Sequence, residues 1–410
     1  MNFNHDQNHD PRHDMLALMR TATALLQTKG AGAATEKIQQ ALAAIMPADA
    51  WSGSRPPMRE TVMRDINPAP GAAAPDMPSD LGRGMPSGVP ANFVADLLAR
   101  LGVALPGVAT PGAFEPDQAG AIDEVEQSAA GQFLAHSFTN HAGSRAYKLY
   151  VPTGFHGQAL PLVVMLHGCK QDPDDFAAGT GFNLLAEQTP CLVLYPAQVQ
   201  SANVSSCWNW FGASDQQRGQ GEPAIIAGMT QQVIDDYGID AAQVYVAGLS
   251  AGGAMAVIMG RTYPELYAAI GIHSGLPYGA AHDLPSALAA MKQGSAASTH
   301  AKAALPLIVF HGERDATVHP RNADQIMVQS GMRGASPEVT QGRVDGGRSY
   351  TRTRHQDGEG NVIAEQWLVH GAGHAWSGGS RRGSYTDRKG PDASREMMRF
   401  FSAQHARKHG

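Results

Sequence analysis

The residues best suited to chemistry lie in Val244-Tyr245-Val246-Ala247-Gly248-Leu249-Ser250-Ala251-Gly252-Gly253-Ala254-Met255-Ala256. The stretch opens as a short β-branched and aromatic run without charge, which reads as a buried strand. It passes into an Ala/Met-rich run ending at Met259, which reads as a buried helix. Between them stands Gly248-x-Ser250-x-Gly252, the spacing of a nucleophile elbow. Such a turn holds the serine in a strained backbone conformation with its hydroxyl presented at the top of a sheet. Side chains two residues to either side would strike the neighbouring strand and helix, so glycine stands there. The Ala251 N–H opens the helix and is placed to stabilise an oxyanion. The chemistry implied is acyl transfer through Ser250.

A serine hydroxyl is a weak nucleophile. It needs a histidine base, and the base needs a carboxylate to fix its tautomer and stabilise its charged form. Around an elbow of this type the chain order is Ser, then Asp or Glu, then His, each in a loop after a strand. Asp315, a few residues beyond the apolar run Pro306-Leu-Ile-Val-Phe310, is the expected acid, with Glu313 of the same loop as competitor. The expected base is His374, which follows Trp367-Leu-Val-His370-Gly-Ala-Gly and precedes the last helical pattern. His370 still lies inside the strand pattern and reads as structural, while His311 and His319 belong to the acid's own segment. A second oxyanion donor is expected from the N–H of Cys169, because strand Leu162–Leu166 runs into His167-Gly168-Cys169. Trp208 and Trp210, in Cys207-Trp-Asn-Trp-Phe211, and Trp376, two residues from the base, are candidates for an apolar substrate subsite.

The elements that must position these groups can be read around them. Gln132–Phe138 and Arg145–Val151 pattern as antiparallel opening strands. Leu162–Leu166 and Cys191–Tyr195 are uncharged runs suited to central parallel strands. Asp174–Gln188 and Glu222–Tyr237 read as helices. Ala268–His273, Pro306–Phe310, Arg348–Arg354 and Val362–Val369 read as further strands, and Ser394–His405 as a closing helix. Strands alternating with helices predict an α/β fold with a mostly parallel sheet covered on both faces.

Ahead of this region the pattern differs. Amphipathic spacing over residues 15–29 and from Thr35 to Met46 predicts a helical hairpin in residues 1–46, read as a packing appendage. Residues 47–130 have linker composition, interrupted by a short amphipathic helix over 91–101. His5, His9 and His13, with Asp6, Asp10 and Asp14, fall at four-residue steps but read as a solvated tail. No metal site and no cofactor is expected. The chain has 410 residues, 43% of them hydrophobic, and a net charge of −6, which leaves no electrostatic footprint for nucleic acid. No apolar run of the roughly 18 residues that a membrane-spanning helix needs occurs. Residues 1–12 carry no basic segment followed by an apolar one, so no export signal is read and the cytoplasm is the expected location. Of three cysteines, Cys191 lies in a strand pattern. Cys169 and Cys207 both sit in candidate site loops and could pair, although a reducing cytoplasm argues against a permanent bridge.

His167-Gly-Cys, Cys207-Trp-Asn-Trp-Phe, Gly221-Glu-Pro, Gly248-Leu-Ser-Ala-Gly-Gly-Ala-Met, His273-Ser-Gly-Leu-Pro-Tyr and Gly373-His-Ala-Trp-Ser-Gly-Gly together resemble the polyhydroxybutyrate depolymerase family of esterases. The likeness covers roughly residues 131–405. It implies the α/β-hydrolase fold for a catalytic domain over residues 131–410, with the helical and flexible extension before it. The family also includes feruloyl and acetylxylan esterases. Its nucleophile, acid and base fall on Ser250, Asp315 and His374, matching the positions argued from the residues. Secreted depolymerases of this group carry an export signal and a C-terminal polymer-binding domain, neither of which is read here. The chain therefore looks more like intracellular members. The expected substrate is short-chain polyhydroxyalkanoate or its oligomers, with a feruloyl or acetylxylan ester as the alternative. The expected partner is a polyhydroxyalkanoate granule surface, which the N-terminal hairpin would touch. A different class, a granule-associated binding protein with a vestigial hydrolase domain, is the remaining reading.

Overall fold

A computed structural model describes residues 130–295, 305–331 and 337–409. The expected hairpin over 1–46, the linker with its helix over 91–101 and the His/Asp steps of the first residues lie outside the described residues.

Ten strands form one sheet in the order β1-β2-β4-β3-β5-β6-β7-β10-β9-β8. They are β1 (Gln132–Asn140), β2 (Gly143–Val151), β3 (Leu162–Leu166), β4 (Leu192–Pro196), β5 (Val244–Leu249), β6 (Ala269–His273), β7 (Leu307–Gly312), β8 (Glu338–Arg343), β9 (Ser349–Gln356) and β10 (Val362–Val369). The six inner strands, from β4 to β10, pair in parallel, and antiparallel pairs flank them at both edges. Strands β3 to β7 are apolar without alternation because both faces are covered. One face carries Leu162, Val164, Val246, Ile272 and Val309, packed under α3 (Gly221–Tyr237) and α4 (Ala251–Thr262). The opposite face carries Val163, Met165, Tyr245, Phe310 and Trp367. It packs under α1 (Pro173–Thr180), α2 (Phe182–Gln188) and α7 (Ala393–His409) through Phe176, Phe182, Met397 and Phe401. Successive strand side chains point to opposite faces, so each strand feeds both cores.

The helix expected over 174–188 is two helices. Gly181, at φ 64°, ends α1 by donating its N–H to Ala177 O and starts α2. Two further helices, α5 (Leu284–Gln293) and α6 (Arg321–Gln329), flank β7 in sequence. Two short strands, β11 (Trp376–Ser377) and β12 (Thr386–Asp387), pair in parallel and bracket a strap that follows His374. Among the described residues no helix is long and apolar enough to cross a membrane.

Candidate active site

The carboxyl ends of the parallel strands converge on one edge of the sheet, where loops of this architecture build sites. Ser250 caps β5 and precedes α4 with φ 58° and ψ −117°, a conformation that a side chain adopts only under constraint. The constraint is visible. A Cβ on Gly252 would lie 2.0 Å from Leu166 O, and one on Gly248 would lie 2.4 Å from the Gly252 carbonyl. Only glycine on both sides lets β5, β3 and α4 close this tightly. The Ser250 N–H donates to His273 O at 2.8 Å, anchoring the turn to β6. Ala251 supplies the first N–H of α4, which has no intrahelical acceptor.

Asp315 lies just past β7 and is buried. Its Oδ1 accepts the N–H groups of Thr317 (2.9 Å) and Val318 (2.8 Å), while Oδ2 accepts His374 Nδ1–H at 2.7 Å. The ring of His311 approaches the same oxygen at 3.4 Å and gives its Nε2–H to Val318 O. Burial alone would push this carboxyl up. The charge of His374 and the hydrogen bonds from His311 and His374 outweigh burial and hold it well below the usual carboxylate range. With Nδ1 of His374 committed as a donor, Nε2 is left to act as acceptor.

His374 itself sits on a braced loop. Arg314 N–H donates to Ala372 O at 2.8 Å, Glu313 Oε2 accepts Gly371 N–H at 2.9 Å, and Arg348 Nη1 donates to Gly371 O at 2.8 Å. These contacts separate the two carboxyls of the acid's loop. Glu313 is turned outward to brace the loop and to meet His370 Nδ1 at 3.3 Å, while Asp315 meets the imidazole of His374. Among the described hydrogen bonds none joins Ser250 Oγ to His374. A Ser–His contact of this kind is often long without substrate and closes in the Michaelis complex.

His273, to which the sequence reading gave no role, lies between the three. Its carbonyl holds Ser250 N–H, its Nε2 accepts Ser377 N–H at 3.0 Å, and its Nδ1–H reaches Ser274 Oγ at 3.2 Å. The ring stacks on Trp376 and Phe310 at 5.2 and 5.8 Å between centroids. Burial first, then repulsion from His311 and His374, push its pKa down to about 3, so it is a neutral spacer. No periodicity signals such a residue. A histidine ending a buried strand is the only hint.

The loop after β3 carries His167, Gly168 and Cys169. His167 is buried, gives its Nδ1–H to Gly168 O (2.8 Å) and accepts Gln198 N–H on Nε2 (3.1 Å). Cys169 forms a disulfide with Cys207, which corrects the expectation that no permanent bridge would form. The correction is spatial. Lys170 N–H donates to Ser205 O at 2.7 Å, so the two loops are already laced together where the sulfurs meet. Buried Glu222, at the start of α3, holds the far side of that lacing. Its oxygens accept Asn209 N–H (2.7 Å) and Asn209 Nδ2–H (2.8 Å), and also the amide of Gln198, which donates in turn to Cys207 O at 2.9 Å. Five non-glycine residues among those described have positive φ: Lys170, Ser206, Ser250, Ser274 and Tyr385. Four of them adjoin Cys169, Cys207 and His273 or are the serine itself, so backbone strain is concentrated at this edge.

The three tryptophans expected to line an apolar subsite are buried instead. Trp208 and Trp376 are fully enclosed and Trp210 nearly so. Trp208 donates its indole N–H to His167 O at 3.1 Å, and Trp376 donates to Ser394 Oγ at 3.0 Å while packing edge-on against Phe176. Trp210 packs edge-on against Phe211. Trp208 is thus tied to the loop after β3, and Trp376 to α1 and α7, so these rings support the loops from beneath. Among the described residues no group of three or more His, Cys, Asp or Glu side chains is arranged to hold a metal ion.

Residues 145–353, just over half of the chain, match the family model described as "Esterase PHB depolymerase". That span contains Ser250 and Asp315 and ends before His374. The poly(3-hydroxyalkanoate) depolymerase C of Paucimonas lemoignei is 31% identical over 250 residues, covering 58% of this chain and 59% of that protein. The poly(3-hydroxybutyrate) depolymerase of Ralstonia pickettii is 30% identical over 294 residues, covering 66% of this chain and 57% of the relative. A protein named probable acetylxylan esterase A, from Neosartorya fischeri, is 30% identical over 221 residues, or 49% of this chain and 59% of its own. The chain thus spans rather less than two thirds of the length of these curated relatives. Among solved structures, an acetyl xylan esterase from Aspergillus awamori superposes with a TM-score of 0.54 at 21% identity, covering 67% of this chain and all of its own, which establishes the shared α/β-hydrolase fold. By the extent of the family match, this chain belongs to the esterase PHB depolymerase family.

Proposed function

We propose that the chain is a serine carboxylesterase in which Ser250 is the nucleophile, His374 the general base and Asp315 its orienting acid. The observation that carries this reading is the coincidence, at one sheet edge, of a strained serine between two obligatory glycines and a hydrogen bond of 2.7 Å from His374 to the buried Asp315. His374 Nε2 takes the Ser250 proton as Oγ attacks the ester carbonyl carbon. The carbonyl oxygen becomes an oxyanion facing the N–H groups of Ala251 and Cys169. Collapse breaks the C–O bond, and the imidazolium returns its proton to the departing alkoxide, leaving an acyl-enzyme. Water, deprotonated by the same imidazole, attacks the acyl carbon, and collapse frees the acid and Ser250. No metal enters this scheme.

The substrate proposed is poly(3-hydroxybutyrate), or short-chain polyhydroxyalkanoate and its oligomers, in line with the names of the relatives from Paucimonas and Ralstonia. The acetylxylan reading is kept beside it because relatives and a structural neighbour carry that name. Two measurements test the proposal. Ser250→Ala should abolish hydrolysis of p-nitrophenyl butyrate, and retention of wild-type rate would remove the esterase reading. Wild-type enzyme given amorphous polyhydroxybutyrate, acetylated xylan and methyl ferulate side by side should release 3-hydroxybutyrate fastest. Faster acetate or ferulate release would transfer the assignment to the corresponding ester. A cytoplasmic location and attachment to granules belong to the same proposal, tested by fractionating cells and sedimenting granules with the full chain.

A further inference from the structure

The loop that would hold the oxyanion is fixed by an amide side chain that the reaction scheme does not use. Gln171 is buried two residues beyond Cys169. Its Oε1 accepts Gly168 N–H at 3.0 Å, and its own N–H returns to Gly168 O at 3.3 Å. This consumes the Gly168 donor. Among the described residues no hydrogen bond takes up the next donor, Cys169 N–H. The other end of the amide is equally committed. Its Nε2 donates to Asp175 Oδ2 at 2.8 Å and to Ser384 O at 3.2 Å. Asp175, on α1, accepts Ser384 N–H at 2.7 Å and Ser384 Oγ–H at 2.5 Å. Ser384 lies on the strap that leaves the His374 loop through β11 and returns through β12. That strap is pressed onto α1: Ser380 N–H donates to Gly179 O at 2.8 Å, and a Cβ on Gly383 would lie 2.3 Å from Asp175 O. One amide therefore links the oxyanion loop to the segment continuous with the base.

We infer that Gln171 is a positioning residue. It holds the Gly168 peptide so that Cys169 N–H aims at the reacting carbonyl oxygen, and through Asp175 and Ser384 it keys that donor to the strap behind His374. The inference rests on the esterase reading. It predicts a specific polarity requirement, since an acceptor must face Gly168 and a donor must face Asp175. Gln171→Glu keeps the first and violates the second, setting two carboxylates together. Adding Asp175→Asn restores a donor between them, while the oxygen of the new amide still accepts Ser384 N–H.

The test measures p-nitrophenyl butyrate hydrolysis and inhibition by an alkyl boronic acid, whose Ser250 adduct places an oxygen where the oxyanion forms. Gln171→Glu should lower kcat about 100-fold with little change in KM, since a donor displaced by about 1 Å loses its transition-state contact. The boronic acid should weaken by a similar factor. The Gln171→Glu/Asp175→Asn pair should recover at least about tenfold of both. Gln171→Met, similar in size and without polar ends, should show the same kcat loss without rescue by Asp175→Asn, and circular dichroism establishes which variants fold. The inference is overturned if the folded Gln171 variants keep wild-type kcat. It is also overturned if their loss falls on KM with boronate affinity intact, or if the double variant is no better than the single. Ser250→Ala, run alongside, separates the two ideas: if it stays active, the esterase reading fails whatever Gln171 does.

Discussion

Replacing Asp315 by Asn removes one charge and one acceptor at the point where the base is oriented. Oδ1 is held by two backbone donors, Thr317 N–H and Val318 N–H, so the amide oxygen of Asn will occupy that side. The amide NH2 then faces His374 Nδ1, which at present donates to Oδ2 at 2.7 Å. Two donors cannot face each other. His374 adapts by moving its proton to Nε2, the nitrogen that must accept from Ser250. In serine hydrolases this tautomer error costs about 10⁴ in kcat, which corresponds to about 5 kcal/mol of barrier. Stability should suffer less, by about 1–3 kcal/mol, because one part-buried hydrogen bond is lost and the loop's backbone bonds remain. The assay is steady-state hydrolysis of p-nitrophenyl butyrate by wild type and Asp315→Asn, with urea unfolding to establish that the variant is folded. A folded variant within tenfold of wild-type kcat would refute the assignment of Asp315 as the orienting acid. The linkage adds a second check. The folded-state pKa of Asp315 lies below its unfolded value of 3.8, so its contribution to stability is present above that pH and is lost as pH falls toward the folded value.

Cys169 and Cys207 close a loop with a sequence separation of 38, so replacing both by Ala should lower stability by about 4 kcal/mol, read from urea midpoints under oxidising conditions. A persistent bridge also requires an oxidising surrounding. Alkylation of protein taken directly from cells therefore tests the proposed cytoplasmic location: three reactive thiols after unfolding are expected there, and Cys191 alone reactive would place the chain in an oxidising compartment instead. Burial and the charge of Asp215 push Glu222 up to about 7, against the pull of its amide donors. The folded state thus holds this proton more tightly than the unfolded state. Stability should fall by up to about 3 kcal/mol as pH rises from about 4.5 to about 7, and Glu222→Gln should flatten that slope in unfolding titrations. Gly252→Ala should yield no folded enzyme, because its Cβ would overlap Leu166 O; a soluble variant with an unchanged melting temperature would contradict the packing described for the elbow.

The parts of the fold legible in the sequence were those with period or continuity. The uncharged runs at 162–166, 191–195, 244–249 and 306–310 could only be strands buried on both faces, and they lie at the sheet centre. β8 escaped because Glu338-Val-Thr-Gln-Gly-Arg343 is an exposed edge strand with a single large apolar residue. α6 escaped because Arg321–Gln329 is mostly polar and buries only a narrow face through Ala323, Ile326 and Met327. β11 and β12 are two residues each and exist only through tertiary pairing. At the site, Ser250, Asp315 and His374 each follow a strand, a relation that survives in one dimension. The roles of Gln171, His273 and Glu222 do not, because they depend on side chains meeting backbone atoms of distant loops. The tryptophans misled for the opposite reason. Aromatic residues in polar loops suggest an exposed subsite, yet here Trp208 and Trp376 are enclosed by elements distant in sequence, as the indole bonds from Trp208 to His167 O and from Trp376 to Ser394 Oγ show.

Acyl transfer at this site requires Ser250 to form a covalent bond through Oγ. Wild-type protein treated with a fluorophosphonate should gain one equivalent of adduct by intact mass, and peptide mapping should place it on Ser250, with esterase activity lost in step with labelling. An adduct on another residue, or full activity in protein modified at Ser250, would contradict it.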